Sequence, residues 1–143
     1  MRVRFLLTAV LALAPFGAAA QERPAFTHAD TLRGSLGTAR TWWDVTFYDL
    51  HVRVSPSDST ITGWNGITYR VLEPGQELQI DLQPPLEVDS MVMEGRKLAY
   101  RRDGNAFFVA LAARQRSGET HTVTVYYGGK PVAAERPPWD GGF

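Results

Sequence analysis

Histidine, serine and carboxylate side chains are the groups in this chain that could act as metal ligands, nucleophiles or general bases. The three histidines, His28, His51 and His121, are far apart, and no two have the i, i+4 spacing that places two imidazoles on one metal ion. His51 shares one face of a predicted strand with Asp49 and Arg53, because these residues are two positions apart. Three polar side chains in such a row are typical of the solvated face of a strand. The histidines therefore predict neither a metal site nor a general base.

Nucleophilic and acid/base motifs are also absent from the sequence. No serine stands in a G-x-S-x-G elbow, and the chain contains no cysteine. Residues 55–60, Ser-Pro-Ser-Asp-Ser-Thr, hold one carboxylate where a calcium loop uses several, so we expect a plain turn there. No spacing pairs the other carboxylates as acid and base. We assign no catalytic, cofactor-binding or metal-binding residue.

The tryptophans could instead serve a binding function, because an indole offers a flat surface on which ligands stack. Trp42 and Trp43 directly precede the first predicted strand, and we expect them to cover the sheet edge as hydrophobic lids. Trp64 and Trp139 complete the set of possible stacking platforms. A self-contained exported β-sandwich that binds a glycan, peptide or protein is therefore one hypothesis for this chain.

Two strands with an apolar and polar alternation of period two organise the chain, at residues 44–54 and 61–72. Gly63 lies inside the second strand, where a glycine usually marks a bulge or a close backbone approach. The alternation predicts that the first strand is half-buried through one row of side chains: Tyr48, Leu50, Val52 and Val54.

Further strand and turn signals follow at intervals of about ten residues. Strands are predicted at residues 78–82, at 86–92 with a bulge at Asp89-Ser90, and on both sides of the Asp103-Gly104 turn. Residues 112–120 are predicted as a loop before a last strand at 122–127. Seven or eight short strands without a long helical period predict an all-β, antiparallel β-sandwich.

The N-terminus has the pattern of a signal peptide over residues 1–20. Arg2 and Arg4 precede an apolar run, and the three alanines at residues 18–20 form a small-residue cleavage site. We therefore expect the mature chain to begin at Gln21. The apolar run is too short for a membrane span, which needs about 20 residues. We therefore expect an exported protein, periplasmic or extracellular, with an uncleaved anchor as the alternative.

The predicted mature chain carries an irregular arm at residues 21–43 and a β-sandwich domain at 44–143. Any helix in the arm should be a turn or two starting near Ser35, because two glycines lie close together there. Without residues 1–20 the chain holds 13 basic and 15 acidic residues, a formal net charge of −2, which does not favour a nucleic-acid partner. With no disulfide available, the hydrophobic core alone must stabilise the fold.

A set of strand motifs resembles the N-terminal β-domain of the zinc aminopeptidases, the family of aminopeptidase N and the leukotriene hydrolase, in a bacterial exported form. The closing sequence Pro-Pro-Trp-Asp-Gly-Gly-Phe at residues 137–143 resembles the stretch that continues the domain in bacterial members. The motifs that carry the resemblance are the runs at residues 44–54, 61–71, 78–82, 88–96 and 122–127.

This resemblance implies a parent enzyme that removes N-terminal residues from peptides with a zinc ion held by H-E-x-x-H and a more distant Glu. Neither that motif nor a G-x-M-E-N loop occurs in this chain. The resemblance therefore implies a non-catalytic domain, incomplete at its C-terminus and inactive alone. Its expected partners are its own downstream catalytic domain, which would hold the zinc, and a peptide substrate in the full-length protein.

Overall fold

A computed structural model describes residues 25–136 of the chain. The predicted signal peptide at residues 1–20 and the closing residues 137–143, with Trp139, lie outside the described part. Within it, no helix is long and apolar enough to cross a membrane. The elements in chain order are α1 (His28–Gly34), β1 (Trp43–Ser55), β2 (Thr60–Val71), β3 (Gly75–Asp81), β4 (Glu87–Met93), β5 (Arg96–Lys97), β6 (Ala99–Asp103), β7 (Ala106–Gln115) and β8 (Thr120–Gly129).

Two antiparallel sheets pack face to face, which confirms the predicted all-β sandwich. The first has the strand order β1-β2-β8-β4-β5, and the second has the order β3-β7-β6. Side chains from both sheets form one hydrophobic core, as expected when alternate residues of each strand point inward. The core contains Ile67, Tyr69, Val71, Met91, Val123 and Val125 from the first sheet and Leu78, Ile80, Phe107, Val109 and Leu111 from the second, together with Trp42.

The first sheet has five strands and the second has three, so the first is wider. Because of this difference, the predicted half-burial of β1 is wrong. The apolar row of β1 was expected to be half-buried, but its side chains are exposed: Tyr48 by 57%, Leu50 by 60%, Val52 by 47% and Val54 by 52%. The row does face the same side as the core residues of β2, because Tyr48 pairs with Ile67 across the ladder. The narrower second sheet does not cover it. Periodicity gives the direction of a side chain, whereas burial depends on what packs opposite.

Local features of the strands follow the sequence more closely. The bulge expected at Asp89-Ser90 is confirmed by a register shift between Val88 and Ser90, which keeps Val88 and Met91 on the inner face. The hairpin at Asp103-Gly104 is also confirmed, with Gly104 at a φ of 56°. The predicted loop at residues 112–120 is wrong in part, since β7 continues to Gln115. Gln115 is buried and bonded there, although Ala-Ala-Arg-Gln shows no alternation.

The arm contains a helix that begins earlier than predicted. Thr27 caps α1 and forms a capping box with Asp30, so the helix starts at His28 and Ser35 is its C-cap rather than its start. The hydrogen bonds from the Thr27 side chain and backbone lower the pKa of Asp30. The sequence signal was the Thr-x-x-Asp spacing at 27–30.

The arm also covers the open edge of β3. The backbone N–H of Gln79 donates to Ala39 O at 3.0 Å, and the Gln79 side-chain amide donates to Leu32 O at 3.0 Å. Arg40 forms an ion pair with Asp81 at the end of the same strand. The arm thus satisfies edge groups that would otherwise be free to pair with another chain.

Trp42 and Trp43 are structural lids, as the sequence predicts. Trp42 is 5% exposed, and its indole N–H donates to Glu77 O at 2.7 Å. The Trp43 indole N–H donates to Ala39 O at 2.8 Å. Both rings pack against the Tyr69 ring in T-shaped arrangements, so these two indoles belong to the packing of the domain.

Gly63 marks a close approach of two backbones, which confirms the interpretation of this glycine. A Cβ added at Gly63 would lie 2.0 Å from the backbone oxygen of His51 on β1. Gly63→Ala should therefore lower the free energy of unfolding by about 1–3 kcal/mol, because the backbone must move to admit the methyl group. Urea denaturation measures this change.

Gly34→Ala is the matched control for Gly63→Ala. An added Cβ at Gly34 meets no atom within 4 Å, and alanine favours the helical conformation. Its stability should be unchanged or slightly raised. Equal losses in the two variants would contradict the close approach at Gly63.

Tyr69 is fully buried at the centre of the core, and its hydroxyl donates to Gln115 Oε1 at 2.8 Å. Burial raises the pKa of Tyr69 to about 12, with a smaller contribution from the charge of Glu94, while the bond to Gln115 opposes the shift. Tyr69→Phe should cost about 1–3 kcal/mol, because it leaves the buried Gln115 oxygen without its donor.

The same variant should change the alkaline stability of the protein. An unfolded tyrosine loses its proton near pH 10, whereas folded Tyr69 keeps it to about pH 12, so stability falls as the pH rises through this window. Tyr69→Phe should make this fall less steep, as measured by urea denaturation across the window. Part of the slope should remain, because burial also raises the pKa of Tyr127. An unchanged slope would contradict the assignment to Tyr69.

Candidate functional site

A groove opens where the wide first sheet extends beyond the narrow second sheet. It has a volume of about 670 Å³ and lies against the inner faces of β1, β2 and β8. We call it the inner groove. Its apolar lining includes Tyr48, Leu50, Ile61, Ile67, Leu82, Leu86, Val125 and Tyr127. Such a surface can hold an apolar side chain, and nothing in its lining suggests covalent chemistry.

Asn65 is the exception in the apolar wall of the inner groove. It sits on β2 between Leu50 of β1 and Val125 of β8, so its ladder neighbours on both sides are apolar. Its Oδ1 is buried and is the single buried side-chain acceptor without a hydrogen bond among the described residues. A buried acceptor is costly to leave unpaired. Asn65 therefore marks the point in the groove where a donor would be held.

One end of the inner groove is polar. Arg40 and Asp81 form their ion pair there, and Asp44 and Gln79 lie beside it. On the lining, burial raises the pKa of Tyr127, so its hydroxyl stays neutral at physiological pH. The groove is thus charged at one end and uncharged along most of its length.

The three histidines lie on separate parts of the domain, as the sequence spacing indicates. His28, in α1, pairs with Asp103 at 3.0 Å. His51, on the outer face of β1, pairs with Asp49 at 2.9 Å and stacks on Trp64 with ring centroids 3.8 Å apart. The predicted polar strand face at His51 is confirmed by this pair.

His121 has the most carboxylate neighbours of the three. It lies on β8 with its Nε2 3.2 Å from Glu119 and its Nδ1 4.0 Å from Glu94. The pKa of Glu119 is lowered, first by the backbone N–H of Arg116 and then by His121. His121 pairs across the ladder with the inward residue Tyr69, whereas His51 pairs with the outward residue Trp64. The two imidazoles therefore lie on opposite faces of the sheet.

These positions do not fit a zinc site built from the described residues. Zinc bonds nitrogen at about 2.0–2.1 Å, so two histidine ligands must bring their nitrogens within about 4 Å of each other. Within residues 25–136 no group of three or more His, Asp or Glu side chains could hold a metal ion. The assignment of no catalytic, cofactor-binding or metal-binding residue in this chain stays a prediction.

The inner groove was not found from the sequence. Its residues have the alternation of an ordinary core face, and periodicity does not report the width of the opposing sheet. The one signal was Asn65, a polar residue in a row that otherwise contains apolar and small side chains. Among the four tryptophans, the structure leaves Trp64 as a possible platform and places Trp42 in the core.

Solved structures show what this arrangement of strands is similar to. A mutant M1 zinc metallopeptidase from Deinococcus radiodurans matches with a TM-score of 0.58 and 25% sequence identity, over 69% of this chain and 23% of that one. A second structure of that mutant, bound to a Tyr-Ser-Ala substrate, matches with a TM-score of 0.59 over 71% of this chain and 24% of that one. The fold is that of a domain of the M1 zinc metallopeptidases.

Native leukotriene A4 hydrolase from Saccharomyces cerevisiae shares this fold with a TM-score of 0.51 and 22% identity, over 60% of this chain and 15% of that one. No family model and no curated protein matches the sequence. The predicted resemblance to a zinc aminopeptidase β-domain is confirmed by these structures. This chain spans about a quarter of the length of the Deinococcus M1 zinc metallopeptidase.

A zinc-binding measurement tests the expectation that this M1-type domain holds no zinc site. Purified residues 21–143 should bind no stoichiometric zinc, because scattered histidines cannot supply the three ligands of a catalytic site. Elemental analysis after dialysis against zinc measures the bound metal. A His121→Ala variant is the control, since His121 has the most carboxylate neighbours and its loss should change nothing. Zinc near one equivalent would contradict the expectation.

Proposed function

We propose that this chain is the N-terminal, non-catalytic β-domain of an exported zinc-dependent aminopeptidase, a metallopeptidase that removes N-terminal residues from peptides. The observation that carries the proposal is the match to a large part of this chain but only 23% of an M1 zinc metallopeptidase. In this proposal the zinc and its ligands belong to a catalytic domain downstream of the β-domain. The domain is inactive alone.

The exposed apolar side chains of β1 support a role in packing against further protein. Val52 and Val54 lie on its inner side and Phe47 on its outer side, and all three are about half exposed or more. Apolar side chains clustered on one strand are typical of an interaction surface. We propose that the downstream catalytic domain is their partner. The signal-peptide pattern at residues 1–20 supports export.

A self-contained binding module is the second candidate function. The observation that favours it is the stack of His51 on Trp64, which holds an indole in a fixed orientation on the outer face of the first sheet. An indole held in this way offers a flat surface on which another ring stacks. In this case Trp64→Ala would abolish ligand binding, and the isolated domain would be the functional unit.

The coding sequence beyond codon 143 and the activity of its product test the proposal. We expect an in-frame H-E-x-x-H in a helical context, because two histidines one helical turn apart are needed to hold the zinc. The full-length product should start at Gln21 in the exported fraction and release amino acids from alanyl or leucyl chromogenic substrates. Chelation should stop this activity.

Purified residues 21–143 at equal molar concentration are the matched control and should release no amino acid. A full-length variant with alanine in place of the first histidine of the downstream motif should be as inactive as this β-domain. A stop codon directly after Phe143, in an intact genome with no catalytic gene following, would contradict the proposal. Hydrolysis by the isolated domain would contradict its non-catalytic role.

A further inference from the structure

The outer face of the five-stranded sheet carries three aromatic rings on adjacent strands. His51 of β1 pairs with Trp64 of β2 across the ladder, and Trp64 pairs in turn with Tyr126 of β8. His51 stacks on the Trp64 indole with ring centroids 3.8 Å apart, and Tyr126 is 40% exposed. Adjacent strands lie about 4.8 Å apart, so the three residues extend over about 10 Å. We call them the aromatic row.

Glycines on both sides of the aromatic row keep its surroundings low. Gly66 follows Trp64 by two positions on the same face of β2, and Gly128 follows Tyr126 in the same way on β8. A Cβ added at Gly66 would lie 3.6 Å from Cζ3 of Trp64, so the indole reaches towards this glycine. The two glycines therefore leave room for a flat ligand beside the rings.

A shallow pocket adjoins the aromatic row at its β1 end. It has a volume of about 350 Å³ and is lined by His51, Val52, Arg53, Thr62, Gly63 and Trp64. We call it the outer pocket. Arg53 is the one arginine or lysine in this lining, and its side chain is exposed and without an ion pair or hydrogen bond among the described residues. The outer pocket therefore offers a free cation beside an aromatic surface.

Two further polar groups of the outer pocket are available to a ligand. Within residues 25–136, neither the Thr62 hydroxyl nor the Trp64 indole N–H has a hydrogen-bond partner. His51 differs from them, because its Nε2 is held by Asp49 at 2.9 Å. The pocket thus combines one guanidinium, one hydroxyl and one N–H donor with the face of a ring.

These groups match the chemistry of an acidic sugar. The face of an aromatic ring is negative and attracts the C–H groups that cover the face of a pyranose ring. Sugar hydroxyls can accept from the Trp64 N–H and can exchange hydrogen bonds with the Thr62 hydroxyl. The planar guanidinium of Arg53 fits a carboxylate through two parallel hydrogen bonds. A carboxylated pyranose would use all of these groups at once.

Other classes of ligand would use only part of this surface. A neutral sugar or an aromatic side chain would leave Arg53 without an anion, and an acidic peptide would leave the rings uncovered. Phosphate groups are held by helix N-termini or by several donors together. The outer pocket has one arginine instead, close to the carboxylate of Asp49, which disfavours a doubly charged group.

We propose that the aromatic row and the outer pocket bind a carboxylated sugar of a glycan, with its rings on Trp64 and Tyr126 and its carboxylate on Arg53. The inference rests on the second candidate function, the binding module, and gives that module its ligand class. It does not depend on the aminopeptidase role, since the residues involved all belong to this chain.

Titration of the ¹⁵N-labelled chain with cellobiouronic acid and with cellobiose tests the assignment. The two disaccharides differ at one carbon, which is a carboxylate in the first and a hydroxymethyl group in the second. The Trp64 indole N–H signal and the Tyr126 amide signal should shift with the acid. The acid should bind about 5-fold more tightly than cellobiose, because it alone pairs with Arg53. This preference should decrease at high salt.

Two arginine variants separate the outer pocket from a general effect of charge. Arg53→Gln should weaken binding of the acid about 5-fold and leave binding of cellobiose unchanged, so the preference disappears. Arg70→Gln is the matched control and should keep the preference. Arg70 is exposed on the same face of the sheet, at the other end of β2 from Thr62.

Two tryptophan variants test the ring contact, with the Tyr126 amide as the signal. Trp64→Leu should weaken binding of both disaccharides about 10-fold, because it removes the flat face, whereas Trp64→Tyr keeps a ring and should retain most of the affinity. The Trp42 indole N–H, which donates to Glu77 O elsewhere, should not shift in either variant. Its constancy shows that both are folded.

Several outcomes would overturn the proposal. Equal affinity for the two disaccharides would remove the acid preference and leave the second candidate function in place. No shift of the Trp64 signal with either sugar would remove both, whereas the aminopeptidase role is tested separately by hydrolysis with the full-length product. A preference that persists in Arg53→Gln would place the carboxylate elsewhere. Tighter binding of AMP or of a glutamate-rich peptide would assign the pocket to a nucleotide or to a peptide instead.

Discussion

The packing of Trp42 connects the two sheets of this domain, and the remaining architecture depends on it. Its ring lies so close to Gly75 that a Cβ there would be 2.0 Å from the indole. Its N–H bonds to β3 through Glu77 O, while its backbone oxygen accepts the N–H groups of Leu72 and Glu73 just after β2. The side chain and the backbone of this one residue thus fix the end of the first sheet against the edge of the second, and only glycine at position 75 permits the contact.

This connection at one end leaves the other end open, because three strands cannot cover five. The core is complete around Tyr69, where the second sheet lies opposite the first. Farther along β1 the same inward face meets solvent, and the inner groove results. The groove and the exposed row on β1 are therefore two consequences of one mismatch in width. A domain built in this way has a natural place for further polypeptide, whether it comes from the same chain or from a following domain.

Sequence reasoning predicted the strands and turns better than the burial or the site. Period-two alternation located β1 and β2, and the phase change between Val88 and Met91 located the bulge, because both signals are local. The predicted end of β7 was too early, because the small side chains of Ala112 and Ala113 give no alternation. The strand continues to Gln115, which pairs with Gly75 of β3 and is buried. The predicted helix start at Ser35 was wrong because the capping box of Thr27 and Asp30 starts the helix earlier and Ser35 ends it. The groove could not be found, since it depends on the relative width of two sheets formed by distant segments.

The edges of the two sheets differ in a way that limits how copies of this domain could assemble. The arm covers β3 through Ala39, while β5 contains two residues and β6 five, so none of these three edges offers a long ladder to a second chain. The edge of β1 is long, with 13 residues. Two copies that pair through antiparallel β1 strands would share a two-fold axis and use up the longest edge among the described strands of each copy. A dimer formed through β1 would therefore leave a third copy only the short β5 and β6 edges among the described strands.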